Sequence, residues 1–123
     1  EFRQLAETAI DLSRDGAQRV QALSIPDWGQ TPFGAGCGRD RRQISLEIDA
    51  FNDCAKTVCT SLDIAFLDIT ALTRRHSKET GMHAEDGLHP SAQMHHLWAK
   101  ALLFTKKFGR LGLRAREKDN NHE

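Results

Sequence analysis

An amphipathic helix followed at once by a short apolar run constrains the fold of this chain more than any other feature. Ile44, Ile48, Phe51, Ala55, Val58 and Leu62 fall at alternating steps of four and three, which puts them on one helical stripe. Residues 64–69 then read Ile-Ala-Phe-Leu-Asp-Ile, the pattern of a buried parallel strand. A helix with one apolar stripe and a strand buried on both faces need each other, so helix must layer on sheet. Upstream, Phe2, Leu5, Ala9 and Leu12 predict a helix over residues 2–15 that stops at Gly16. Residues 19–25 read as a strand ended by Pro26, and residues 90–108 as the last helix. The order helix, strand, helix, strand, helix is that of a doubly wound α/β sheet with parallel strands. Right-handed crossovers would set the first two helices on one face and the last helix on the other.

Two connections interrupt this order. Residues 26–40 hold Pro26 and Pro32 together with Gly29, Gly34, Gly36 and Gly38, so they read as a loop of functional length, a lid or a binding segment. Residues 70–88 are polar and irregular, with one helical turn expected around residues 71–75. Both leave the carboxyl ends of the strands, where open α/β sheets bind ligands.

Composition narrows the partners. With 39% apolar and 28% charged residues over 123 positions, the chain reads as one globular domain at most. Seventeen basic and seventeen acidic side chains cancel, which removes the electrostatic ground for binding nucleic acid. No apolar run approaches the roughly 20 residues of a spanning helix. The three cysteines, Cys37, Cys54 and Cys59, are odd in number and form no C-x-x-C, which favours free thiols in a reducing, cytoplasmic compartment. Cys54 and Cys59 should point to different sides of their helix.

The chemistry concentrates in Glu85-Asp86-Gly87-Leu88-His89-Pro90. Pro90 reads as the first residue of the last helix and forces His89 into an extended geometry at the positive end of the helix dipole. Asp86, three residues earlier, is placed to accept the second ring N–H and so fix tautomer and orientation. A base with its orienting acid is two-thirds of a nucleophilic-hydrolase triad. The bland alternative is a helix cap beside a surface histidine.

The same block resembles the last conserved block of the SGNH (GDSL-type) esterase and lipase family, whose Asp-x-x-His supplies the triad acid and base. Asp86 and His89 match that pattern, with Gly87, Leu88 and Pro90 around them. The segment Ala22-Leu23-Ser24-Ile25-Pro26-Asp27-Trp28 is similar to the family's fourth strand and following loop. Ile48-Asp49-Ala50-Phe51-Asn52 is similar to its next helix, and Phe66-Leu67-Asp68-Ile69-Thr70 to its fifth strand. The resemblance spans residues 2–104. It implies a flavodoxin-like three-layer α/β/α fold, a carboxylic ester as substrate, and no cofactor. The family's nucleophile stands in a Gly-Asp-Ser block and an oxyanion donor in a Gly-x-Asn-Asp block. None of Ser13, Ser24, Ser45, Ser61, Ser77 and Ser91 follows Gly-Asp, and Asn52-Asp53 lacks the glycine. The first methionine is Met82, so the chain reads as the C-terminal portion of an SGNH-like domain over residues 1–108 with a flexible charged tail over 109–123. Such a portion, inactive alone, is expected to self-associate through an open strand edge. A non-catalytic remnant or binding module is the competing expectation.

Trp28, Thr31 and Phe33 are candidate substrate-facing residues of the long loop, while Asp27 reads as a turn-former after Pro26. His83, His89, His95 and His96 do not combine at metal-ligand spacing, so no metal is expected. Trp98, with Leu97, Ala101, Leu102 and Phe104, reads as the core face of the last helix.

Overall fold

The computed structural model describes residues 1–120, with side chains through residue 106. Helix α1 spans Phe2–Leu12 and strand β1 spans Gln21–Leu23; helices α2 and α3 span Pro32–Gly36 and Arg41–Ser61. Strand β2 spans Ala65–Leu67, followed by α4 over Thr70–His76 and α5 over Ala92–Asn120. The two strands form a parallel pair in the register Gln21–Ala65, Ala22–Phe66, Leu23–Leu67. The chain is therefore α/β, mostly helical, around a small parallel sheet.

Each element is shorter or longer than its sequence pattern for a local reason. A 3-10 turn over Gly16–Arg19 takes up the beginning of the run expected to be the first strand, and pairing holds only where the two strands oppose each other. Asp40 caps α3 by accepting from the Arg42 N–H at 2.9 Å. The stripe buries Ile44, Ile48 and Ala55 as the spacing predicts, Cys59 is buried beside it, and Phe51 is half-exposed and meets Phe2 edge-on at 6.3 Å. Asp63 closes α3 with φ +56°, a conformation aspartate tolerates better than most residues, and the chain turns directly into β2. Asp68, just before α4, accepts from the Thr70 N–H at 2.9 Å, and α4 runs over seven residues rather than the expected single turn.

Ala6, Cys59 and Ile64 centre a core cluster joined by Phe2, Ile10, Val58 and Leu62 from α1 and the end of α3, and by Ala22 and Phe66 from the sheet. Strand side chains alternate in direction, so Leu23 and Leu67 face the opposite way from that cluster. Leu23 is 43% exposed.

The carboxyl ends of the strands are locked by one serine. Ser24 Oγ accepts from the Ile69 N–H at 2.8 Å and from Thr70 Oγ1 at 2.7 Å. Asn52 bridges from α3, accepting from the Ile25 N–H at 2.9 Å and donating to Thr70 Oγ1 at 2.9 Å. This network fixes where the chain leaves each strand, and so where the two site-bearing connections begin.

Two expectations are corrected on α5. Phe104 is 63% exposed rather than core, and among the described side chains of α5 Met94 is the most deeply buried. The backbone of α5 continues to Asn120, and α5 packs chiefly on α4. The flexible tail expected over 109–123 concerns side chains, and in 121–123 a whole segment, that lie outside the described residues.

Candidate active site

The segment from Met82 to Ser91 folds back on itself. The Ala84 N–H donates to His89 O at 2.8 Å and the Ser91 N–H to Met82 O at 3.0 Å, so His83 and Pro90 face each other as an antiparallel bridge. Gly87 makes the reversal possible with φ +68°, and its N–H donates to Ala84 O at 3.0 Å. Asp86 organises the turn. One carboxylate oxygen accepts from the Leu88 and His89 N–H groups, both at 2.9 Å, and the other faces His89 Nδ1 in a short hydrogen bond.

The hydrogen bond from His89, aided by the two backbone N–H groups, holds the Asp86 carboxyl well below its ordinary value, at about 2. At neutral pH Asp86 is thus an acceptor only, so the ring proton sits on His89 Nδ1. In the neutral ring this leaves the lone pair on Nε2. His89 is exposed (73% of its side chain), and its ring lines the mouth of a cavity.

The last helix starts later than the sequence suggests. Ser91 is its cap: Ser91 Oγ accepts from the Met94 N–H at 3.2 Å, and Ser91 O accepts from the His95 N–H at 3.0 Å. Pro90 therefore precedes the cap instead of opening the helix, and His89 stands two residues further from the dipole than expected. Asp86, not the helix end, is what orients His89.

The cavity measures about 460 Å³. Trp28, Thr31 and Phe33, the three loop residues proposed from sequence, all line it. Leu88, Met94 and Trp98 complete the apolar wall from the His89 side. Residues 26–40 are not a mobile-looking loop: Asp27 caps a 3-10 turn at Trp28–Gln30, and Thr31 caps α2 by accepting from the Gly34 N–H at 3.0 Å, with Pro32 at the first helical position. A Cβ at Gly34 would lie 2.4 Å from Trp28 O and 2.7 Å from Gly29 Cα, so only glycine permits this close fold.

Asp27 does more than form a turn. Its side chain is fully buried, accepts from the Gly29 N–H at 3.1 Å, and pairs with Arg74 of α4 at 2.9 Å. Arg74 also reaches Asp49 at 2.9 Å and Ser45 Oγ at 2.8 Å on α3. One guanidinium thus fastens α4, α3 and the cavity wall together. Arg74, His83, Met94 and Trp98 escaped the sequence reading as site residues. Met94 and Trp98 could have been found, because they stand four apart on the helix that His89 precedes. Arg74 carries no local signal.

Among the described residues no serine hydroxyl bonds a histidine ring nitrogen; Ser77, the one that lines the cavity, contacts Arg74 O at 3.5 Å. Asn52 belongs to the strand-end clamp and is not a lining residue of this cavity. Among the described residues no group of three or more His, Cys, Asp or Glu side chains could hold a metal ion, and no helix is long and apolar enough to cross a membrane. All three cysteines are free thiols, with Cys54 exposed and Cys59 buried on different sides of α3. No family model, curated protein or solved structure matches the chain in comparison.

Proposed function

We propose that this chain contributes the acid and base of a serine ester hydrolase of the SGNH type, within a flavodoxin-like three-layer α/β/α domain whose nucleophile lies outside residues 1–123. The observation that carries the reading is the Asp86–His89 pair, with its ring proton committed to Asp86 and its second nitrogen free, beside a cavity lined by Trp28, Thr31 and Phe33. In the reaction a serine hydroxyl supplied by that other segment attacks the ester carbonyl. His89 Nε2 takes the hydroxyl proton, and Asp86 stabilises the resulting imidazolium. The tetrahedral adduct collapses to an acyl-serine, and His89 returns the proton to the departing alcohol. Water then repeats the sequence and releases the acid. No cofactor takes part.

The chain alone is expected to lack esterase activity and to resist a fluorophosphonate probe, since losing the nucleophile removes nearly all triad catalysis. In a longer parent carrying a Gly-Asp-Ser block, His89→Ala should lower kcat by about 10⁴-fold or more, and Asp86→Ala somewhat less. Near-normal turnover of the His89→Ala parent sinks the assignment.

A second reading is a binding module without catalysis. It draws support from the serine hydroxyls, which are all engaged with carbonyls, a carboxylate or Arg74. The coding sequence upstream of Glu1 discriminates: Gly-Asp-Ser and Gly-x-Asn-Asp blocks there favour the hydrolase.

A further inference from the structure

We infer that the cavity beside His89 takes an uncharged, apolar acyl or aryl group, and rejects charged and polyhydroxylated ones. The inference deepens the hydrolase reading and rests on it only in calling that group part of an ester. Trp28 and Phe33 stand 6.3 Å apart between ring centres and form one wall; Met94 and Trp98 form another.

Apart from His89 Nε2 and the second ring nitrogen of His83, the polar side chains of the cavity are already engaged. Asp27 is bound by the Gly29 N–H and by Arg74. Thr31 Oγ1 donates to Trp28 O at 2.5 Å and accepts from the Gly34 N–H. Thr73 Oγ1 donates to Thr70 O at 2.7 Å and accepts from the Asp27 N–H at 3.3 Å. His83 Nε2 donates to Ser77 O at 2.8 Å, because a carbonyl can only accept. Trp98 Nε1 has no partner among the described residues, and it is buried below the surface that a ligand would meet.

Among the described residues no lysine or arginine lines the space. Arg74 is held by Asp27 and Asp49, and Arg39, 5.8 Å from the Trp28 ring centre, is paired with Glu47. A carboxylate or phosphate entering would lose its water beside Asp27 with no counter-charge, and a sugar would surrender hydrogen bonds without replacement. An apolar group loses nothing and hides surface from water. The volume falls within the roughly 300–1,000 Å³ of small-molecule sites.

The chain has two tryptophans, Trp28 and Trp98, and both line the cavity, so its own fluorescence reports occupancy. Titrating the 123-residue chain with neutral N-phenyl-1-naphthylamine should change tryptophan emission saturably. N-acetylglucosamine and phenyl phosphate should give no saturable change at a hundredfold higher concentration. Phe33→Asp, at a half-exposed position, should weaken the naphthylamine at least tenfold with unaltered circular dichroism; Leu88→Asp, on the turn that carries His89, should do the same. Absence of saturable naphthylamine binding, equal binding of the sugar or the phosphate, or indifference to both substitutions overturns the inference. The two readings fail separately. Probe binding by the chain with no ester hydrolysis in a longer parent sinks the hydrolase and leaves the apolar cavity. A parent that hydrolyses charged or glycosyl acyl esters faster than hexanoyl esters of the same alcohol keeps the hydrolase and sinks the cavity's proposed preference.

Discussion

The Phe33 N–H donates to Gly87 O across 3.0 Å, which ties the outer wall of the cavity to the turn that carries Asp86 and His89. The contact is close on both sides: a Cβ at Gly87 would stand 3.3 Å from Pro32 Cβ. With φ +68° at Gly87, a side chain there would also strain the backbone. Gly87→Ala should therefore cost about 1–2 kcal/mol, from strain and a loosened tie. Urea denaturation measures the cost. The His89 ring resonances should shift in the folded variant, and a variant as stable as the parent chain with unmoved His89 signals contradicts this account.

The Asp86 carboxyl titrates at about 2 in the folded chain, against 3.8 for the free group, so its contribution to stability has a defined sign. A depressed carboxyl pKa stabilises above the unfolded value and loses that effect as pH falls through the folded value. The stability difference between the chain and Asp86→Ala should hold constant from neutral pH to about 4 and shrink as pH falls toward 2. Carbon-detected NMR of the Asp86 carboxyl provides the direct reading. A midpoint near 4 contradicts the observed bonding.

Arg74→Met should be among the most damaging single substitutions. It leaves Asp27, whose side chain is fully buried, without its counter-charge. Stranding one partner of a buried pair costs about 3–5 kcal/mol, and the partial exposure of Arg74 places this case near the lower end. The double variant Arg74→Met, Asp27→Asn should recover part of the loss. If the single variant unfolds within about 0.5 kcal/mol of the parent chain, the pair is not a fastening.

Strand β1 pairs with β2 on one edge and has no other strand beside it among the described residues. Its open edge and the exposed Leu23 form a template for pairing with another chain. Size-exclusion chromatography should show concentration-dependent self-association of the isolated chain. A concentration-independent monomer that melts cooperatively above about 60 °C would show the small sheet to be self-sufficient.

Local spacing determined those features in which partners lie within a turn or two of each other. The stripe of α3 follows from a repeat of 3.6 residues, and it separates Cys54 from Cys59 without help from any other element. Asp86 and His89 meet because Gly87 and Leu88 suffice to close the turn between them. The α/β order was equally legible, since apolar runs of different period alternate along the chain. Tertiary structure decided the rest. The strands shrank to three residues because a ladder exists only where two segments oppose, and no single segment encodes that. Ser91 took the cap that Pro90 seemed to announce, because the bridge to His83 drew Pro90 into the returning ribbon. Asp27 became a buried anchor only because Arg74 arrives from α4, a partner that nothing near Asp27 in sequence foretells. Trp98 gained its place in the cavity wall in the same way, by where α5 docks. A charge or an aromatic ring acquires its role from what folding brings against it, and that information is spread over the whole chain.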